Sequence, residues 1–342
     1  MSEKMKAGVI GCGAIAQTMH LPGYAQTRGA TLVAACDPVS ARRREVKKAF
    51  PGIRTYPDYE RMLRSEALDV VSVTTPNYYH AEHACAALKA GADVLLEKPA
   101  ALSLREVDRI ARAVRSSGRQ LIVGFTHRFL RGNQRAKNAL ADGAIGEPYM
   151  IRVRFAHTGP HPGWAKSKWF YDPKLAGGGA MLDMGIHAID LAMWLMGPVR
   201  SVQARSMTLR KKIRVDDNAV MLLEFAGRRA MGYLEVGWTS PSGFNGWEIC
   251  GDRGSMVFDY AGSLTIHRGR LDPSGKKSGV EAKVLNARPL TGGWDTEIAD
   301  CVKMFRAGDR SDVGIEAGRR SLAVALAGYE SSRTGKRIAI RS

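Results

Sequence analysis

The chain reads as two domains, an α/β domain with a doubly wound parallel sheet and then an α+β domain built on a large, mostly antiparallel open sheet. Over the first 124 residues, short runs of Val, Ile, Leu and Ala alternate with amphipathic helical stretches, the pattern of a parallel sheet buried on both faces. After about Phe125 that alternation gives way to closely spaced strands joined by turns. With 342 residues and 45% apolar composition, the chain is long and apolar enough for two cores, so we expect domains over 1–125 and 126–342.

In the first domain the predicted strands are KAGVIGCG, TLVAACD, ALDVVSVTT, ADVLLEK and RQLIVGF, compact runs that end at Gly, Asp or Pro. Helical patterns separate them: AIAQTMHLPGYAQT, interrupted by Pro22, then SARRREVKKAF, PDYERMLRS, HAEHACAALKAG and SLREVDRIARAVRSSG. The second domain opens with a helix around Gln134 to Ala141, the strand PYMIRVRFAH, a Gly/Pro/Trp-rich loop and an apolar helix from Gly177 to Gly197. VRSVQARSMTL, NAVMLLEFAG, RRAMGYLEVGW, GWEICG, GSMVFDY and SLTIHRG follow as strands. Two helices, about Trp294 to Arg306 and Ile315 to Thr334, close the chain, and DPSGKKSG near Asp272 reads as a mobile loop.

The formal net charge of +18 raises the question of nucleic acid. The basic clusters Arg42 to Arg44, Arg210 to Arg214 and Arg228 with Arg229 fall in separate segments with no interleaved aromatics to stack bases, so we expect solvated charge that assists anionic ligands and no nucleic-acid partner. No apolar run approaches the ~18 residues of a membrane span, and MSEKMKAGVIG leads straight into a strand, which predicts a cytoplasmic protein with no membrane partner. The five cysteines, Cys12, Cys36, Cys85, Cys250 and Cys301, are scattered without a C-x-x-C pair and read as reduced packing residues.

Gly11-Cys12-Gly13-Ala14-Ile15-Ala16 follows a strand and opens a helix, the context in which G-x-G-x-x-A describes a Rossmann dinucleotide site. Gly11 permits the turn, Gly13 admits a pyrophosphate, and the helix start at Ala14 and Ile15 offers N–H groups to it. Asp37 ends the second strand, twenty-one residues after Ala16, where a carboxylate accepts the adenosine ribose hydroxyls and repels a 2′-phosphate. NAD is therefore the expected cofactor, with NADP possible because Arg42 and Arg43 stand close enough to reach a phosphate. Two more strand ends lie on the same edge: Thr75-Pro76-Asn77 with His80, and Glu97-Lys98-Pro99. His80 is read as a helix-start residue lining the cofactor groove. Lys98, between a buried strand and a proline, is read as directed across the edge, where a nicotinamide cation would lower its pKa.

The helix GGGAMLDMGIHAIDLAMWLMG places Asp183, His187, Asp190 and Trp194 along one stripe of an otherwise greasy surface. Ionisable groups spaced in this way on a largely buried helix are costly unless partnered, which favours a site over simple packing. The chain resembles the Gfo/Idh/MocA oxidoreductases, named for glucose–fructose oxidoreductase and inositol dehydrogenase. The likeness is carried by GVIGCGAIA, Thr75-Pro76-Asn77 with His80, Glu97-Lys98-Pro99, Gly124-Phe125 with Arg128-Phe129, and Trp169-Phe170-Tyr171-Asp172-Pro173 followed by the Gly177 to Gly197 helix.

The resemblance implies a catalytic trio of Lys98, Asp183 and His187, hydride transfer between a secondary alcohol of a sugar or cyclic polyol and nicotinamide, and a homodimer or homotetramer formed through the open sheet. Within the trio His187 suits the general base, Lys98 a hydrogen-bond donor to the developing alkoxide, and Asp183 a partner of substrate or of Lys98. Asp190, one turn beyond His187, is expected to fix the histidine tautomer from behind. The loop Ala156 to Trp164 offers His157, Trp164 and, just beyond it, Lys168 for substrate selection. Arg128 is read either as a substrate ligand or as one half of a salt bridge at the domain hinge. His157 and His161 lack a carboxylate or cysteine at ligand spacing, so no metal is expected. Two other functions fit the same residues: NAD-dependent cleavage of a glycoside through transient oxidation, and nucleotide sensing without turnover.

Overall fold

The computed structural model describes residues 3–271, 274, 277–284, 296–308 and 312–340. The loop expected around Asp272 and the helix start expected at Trp294 lie outside the described residues. The chain forms two compact units. The first holds the chain up to Phe125, the segment Pro160–Gly177, and the stretch containing the helix Glu297–Ala307 as far as Leu322. The second holds Thr126–Gly159, the sheet strands that follow Gly178, and the chain from Ala323 onward.

In the first unit β1 (Met5–Ile10), β2 (Ala30–Cys36), β3 (Arg54–Tyr56), β4 (Val70–Val73), β5 (Asp93–Leu96) and β6 (Leu121–Val123) form one parallel sheet in the order β3-β2-β1-β4-β5-β6. All residues of β4 and β5 are buried, as a sheet covered on both faces requires. The strand order reverses between β1 and β4, and the carboxyl ends on either side of that point carry the motifs singled out above. β3 escaped the sequence pattern because its three residues, Arg-Thr-Tyr, contain no apolar run. The first helix begins as a π-helical turn, Ala16–His20, and continues as Leu21–Gln26. Pro22 accounts for the wide turn, since its ring obstructs the carbonyl four residues back and it has no N–H to donate.

Among the described residues the second unit carries a nine-stranded sheet. Its strands are β7 (Pro148–Ala156), β8 (Val199–Met207), β9 (Asn218–Phe225), β10 (Met231–Gly237), β11 (Gly246–Gly251), β12 (Gly254–Asp259), β13 (Ser263–Leu271), β14 (Lys277–Val284) and β15 (Ile338–Ala339). They lie in the order β14-β13-β12-β11-β7-β10-β9-β8-β15, with β7 and β10 parallel and the other neighbours antiparallel. β14 and the two-residue β15 were not foreseen. Period-two burial is plain in β9, where Ala219, Met221, Leu223 and Phe225 face inward while Val220 and Leu222 are exposed. The helix expected from Gly177 to Gly197 is divided into Ala180–Asp183 and Gly185–Met196, joined at Met184 with right-handed helical angles, and it packs on β7, β9 and β10. No helix among the described residues is long and apolar enough to cross a membrane.

Candidate active site

The glycine loop of the first unit is held by its neighbours on both strands. Gly11 has φ +93 and donates to the Cys36 carbonyl at 2.8 Å; a Cβ there would come within 3.0 Å of the Thr74 carbonyl oxygen. Gly13 differs, because a Cβ added to it meets nothing within 4 Å. That open side, followed by Ala14 and Ile15 at the helix start, is the cradle a pyrophosphate needs.

Asp37 is buried; its Oδ2 accepts the Cys12 N–H at 2.9 Å and its Oδ1 the Val39 N–H at 2.8 Å, with Arg42 at 3.4 Å. A carboxylate has about four acceptor positions, so capacity remains for ribose hydroxyls. Arg43, expected as a possible phosphate reader, turns its guanidinium onto the carbonyls of Asp37 and Pro38 at 2.6 and 2.9 Å. Burial, helped by the Asp37 charge, pushes the Cys12 thiol up to about 12, so it packs and does not react.

Two further strand ends lie to one side of this loop. After β4, Thr75 Oγ1 lies 3.1 Å from His83 Nδ1, and Asn77 donates to the Ala176 carbonyl at 2.8 Å, tying the segment Pro160–Gly177 to its own unit. His80 bridges the two ends, with its ring nitrogens 2.7 Å from the Pro99 carbonyl and 2.9 Å from the Thr75 carbonyl. Burial lowers its pKa against those two acceptors, and its place is that of a clamp. After β5, Glu97 meets His20 Nε2 at 2.9 Å, while His20 Nδ1 lies 2.9 Å from Ser72 Oγ. Burial alone would raise the Glu97 carboxyl, but His20 and the neighbouring Lys98 charge carry it below its ordinary value. Lys98 follows directly, its backbone N–H donating to Glu97 Oε2 at 3.2 Å and its peptide to Pro99 cis.

The glycines before the apolar helix, Gly177 at the end of a first-unit segment and Gly178 and Gly179 in the second unit, are explained by their backbone angles and by what they touch. Gly177 ends the helix Pro173–Ala176 with φ +79. A Cβ at Gly178 would lie 2.3 Å from the Tyr329 hydroxyl, and one at Gly179 would lie 1.8 Å from the Asp216 carbonyl oxygen. The Asp216 carboxylate then caps the helix start, accepting from the N–H groups of Gly179 at 2.9 Å and Met181 at 2.8 Å and from the Tyr329 hydroxyl at 2.8 Å. Burial raises the Asp216 carboxyl in spite of these donors.

This anchored helix presents Asp183 and His187, both buried. Asp183 Oδ2 accepts from the indole Nε1 of Trp238 at 3.1 Å. The His187 ring lies 4.7 Å, centroid to centroid, from that of His127, which stacks on Phe155 at 4.5 Å. Trp247, whose indole can only donate, gives its Nε1–H to Asn133 Oδ1 at 2.8 Å, so the Asn133 amide nitrogen faces the His127 carbonyl at 2.6 Å and the Tyr260 hydroxyl at 3.3 Å. The Tyr260 hydrogen is thereby directed at His127 Nδ1, 2.6 Å away, which leaves a neutral His127 protonated on Nε2.

Sequence alone offered His187 as the partner of Asp190, and a substrate or a salt bridge as the partner of Arg128. The structure pairs the two with each other. Arg128 Nε and Nη2 reach Asp190 Oδ2 and Oδ1 at 2.7 and 2.6 Å, with both side chains buried. The geometry is bidentate, and satisfying both charges in this way is the condition for burying them at all. Of the two readings of Arg128, the structure shows the salt bridge, with Asp190 as its partner.

His157 accepts the Gly159 N–H on Nδ1 at 2.7 Å and places Nε2 3.1 Å from Met184 Sδ, beside Asp183. Trp164 and Lys168, expected near the same substrate, belong to the first unit. There Trp164 is exposed and edge-on to Phe170, which stacks on Trp169, and Lys168 precedes the short turn Trp169–Tyr171. His161 is occupied by the Ala165 carbonyl at 3.2 Å. Among the described residues, no group of three or more His, Cys, Asp and Glu could hold a metal.

Residues 5–125 match the oxidoreductase family described as having an NAD-binding Rossmann fold, and residues 133–257 match the Gfo/Idh/MocA C-terminal domain. The chain belongs to the Gfo/Idh/MocA oxidoreductases. It is 28% identical over 336 residues to a myo-inositol 2-dehydrogenase of Thermotoga maritima, covering 96% of both chains. It is 33% identical over 207 residues to a D-glucoside 3-dehydrogenase of Escherichia coli, a match that spans 60% of this chain and 58% of that protein. The solved WlbA dehydrogenase from Bordetella pertussis, in complex with NADH and UDP-GlcNAcA, superposes with a TM-score of 0.84 at 26% identity over 99% of this chain and 100% of that one.

Proposed function

We propose that the protein is an NAD-dependent dehydrogenase acting on a secondary alcohol of a sugar or cyclic polyol. The observation that carries this reading is the pair Asp183 and His187, buried one helical turn apart on a segment whose start is fixed by Asp216. Relatives named for dehydrogenation of an inositol and of a glucoside support the substrate class.

His187 takes the hydroxyl proton of the substrate. Lys98 donates a hydrogen bond to the oxygen as it becomes an alkoxide, and Asp183, oriented by Trp238, accepts from a substrate hydroxyl. The open side of Gly13, the turn at Gly11 and the Asp37 carboxylate hold the cofactor, with Thr75 to Asn77, His80 and Glu97 shaping the strand ends around it. Nicotinamide, when bound, supplies the acceptor for the carbinol hydride. Exposed Val220, Leu222 and Met231 on the outward side of β9 and β10 favour a homodimer or homotetramer, and the scattered free cysteines a reducing cytoplasm.

The test is a panel of sugars, inositols and sugar acids against NAD and NADP, read as initial rates at the reduced-nicotinamide band. NAD reduction is expected with at least one member of the panel. Lys98→Ala and His187→Ala should each lower turnover on the order of 10²–10⁴-fold, with His187→Ala still binding NAD. Turnover unchanged in both variants would remove Lys98 and His187 from the chemistry, and NAD binding with no turnover of any panel member would favour a nucleotide sensor instead.

A further inference from the structure

The basic run Arg210 to Arg214 is the sequence feature that this mechanism leaves unused. It occupies the turn between β8 and β9, and Asp217 organises that turn. The Asp217 carboxylate accepts the backbone N–H groups of Leu209 at 2.7 Å, Arg210 at 2.9 Å and Lys211 at 2.7 Å, together with the Asn218 amide at 2.8 Å. Burial opposes this charge, yet the donors hold the carboxyl below its ordinary value, so the negative charge is directed into the backbone of the turn. The Asp217 carbonyl accepts the Trp238 N–H at 2.7 Å, and the Trp238 indole is the group that holds Asp183 at 3.1 Å. Turn and catalytic carboxylate therefore share one support.

The Lys211 side chain lies along that support. A Cβ built on Gly159 would come 3.0 Å from Lys211 Cε, 3.1 Å from Trp238 Cβ and 3.3 Å from Lys211 Nζ. Gly159 is two residues beyond His157, whose Nε2 lies 3.1 Å from the sulfur of Met184, next in sequence to Asp183. Lys211 is half-buried, and among the described residues no carboxylate pairs with its ammonium. A half-buried ammonium that runs beside the tryptophan holding Asp183, with no carboxylate paired to it among the described residues, suits an anion from outside.

We infer that Lys211 is a specificity residue of this site, and that the substrate is a sugar or polyol bearing an anionic group, either a carboxylate or a phosphate. The inference rests on the dehydrogenase reading above. Calorimetry with the NADH-loaded enzyme tests it, using matched sets of neutral hexoses, their uronic acids and their 6-phosphates. One anionic series should bind roughly ten- to a hundredfold more tightly than its neutral parent, and which series it is separates the carboxylate from the phosphate.

Lys211→Met should abolish that preference and Lys211→Arg should retain it. The exposed neighbour substituted as Lys212→Met should also keep it. Neutral hexoses binding as well as the anions, no anion binding at all, or a preference that survives Lys211→Met would each overturn the proposal. Anion-selective binding that depends on Lys211, with no NAD reduction by any member of the sets, would sink the dehydrogenase reading while leaving the assignment of Lys211 intact.

Discussion

The two units build their proposed site residues by opposite means. At the edge of the parallel sheet recognition belongs to the backbone: a turn at Gly11, an open side at Gly13, helix N–H groups, and a carboxylate fastened by two backbone donors. On the Gly185–Met196 helix and the turn before it, recognition belongs to side chains, and each is held by another side chain brought from far along the sequence. A backbone-built site tolerates change around it and fails when its space is filled. A side-chain-built site fails when a supporting partner is lost.

A pair of alanine substitutions separates these modes most sharply. Gly179→Ala drives a methyl against the Asp216 backbone, where no side chain can yield, and should destabilise the fold by more than about 4 kcal/mol. Gly13→Ala meets nothing within 4 Å, so the melting temperature should hold or rise while NAD affinity falls. Thermal melts of both proteins with a titration of NAD check the contrast, and equal stability losses would remove it.

The next largest effect is expected at the buried ion pair. Arg128→Ala leaves Asp190 buried without its bidentate partner and should cost about 3–5 kcal/mol. If the pair serves the fold and not the substrate, Arg128→Met combined with Asp190→Leu should recover most of that loss in urea denaturation. A KM change without a stability change would return Arg128 to substrate binding.

This contrast also explains what was legible in the sequence. The alternating strands lie in contiguous stretches, so spacing was sufficient to find them, and the proposed residues Gly11, Gly13, Asp37 and Lys98 lie beside those strands in the same stretches. The supports of the helix do not. Asp216 stands 37 residues from Gly179, Trp238 stands 55 from Asp183, and Arg128 stands 62 from Asp190, each an ordinary residue in its own segment. His127 was missed for the same reason, since nothing in GFTHRF distinguishes a histidine packed on Phe155 and His187 from one in solvent. The triple glycine was read as part of a motif, whereas its cause, the Asp216 backbone and the Tyr329 hydroxyl, is visible only in three dimensions.

A smaller effect separates the units by pH. In the first unit burial lowers the His83 pKa to about 4, and His80 is displaced in the same direction. Above about 6.5 the imidazole is neutral in folded and unfolded chains alike. Between 6.5 and 4 the unfolded chain binds a proton that the folded one refuses, so stability falls as pH falls, by on the order of 3 kcal/mol for His83. Glu97, lowered by its partners, adds a loss in the same sense below about 4.3. Urea midpoints measured from pH 7.5 to pH 4 should decline, and His83→Gln should flatten the upper part of that decline. A parallel decline in the variant would remove His83 as its source.

The smallest expected effect tests the backbone-built half directly. Asp37 is the residue proposed to face the ribose, while Arg42 lies beside it at 3.4 Å and Arg43 is committed to backbone carbonyls. Asp37→Ser removes the acceptor and the repulsion together and leaves Arg42 without a carboxylate to hold it. KM for NAD should rise about tenfold, near 1.4 kcal/mol, and KM for NADP should fall as Arg42 becomes available to a 2′-phosphate. Because Cys12 and Val39 also donate to Asp37, part of the NAD loss could come from a loosened glycine loop. Asp37→Asn, which keeps an oxygen acceptor for one of those donors but lacks the charge, isolates the electrostatic share. If it binds NADP no better than the parent does, selection against the phosphate rests on shape and not on charge.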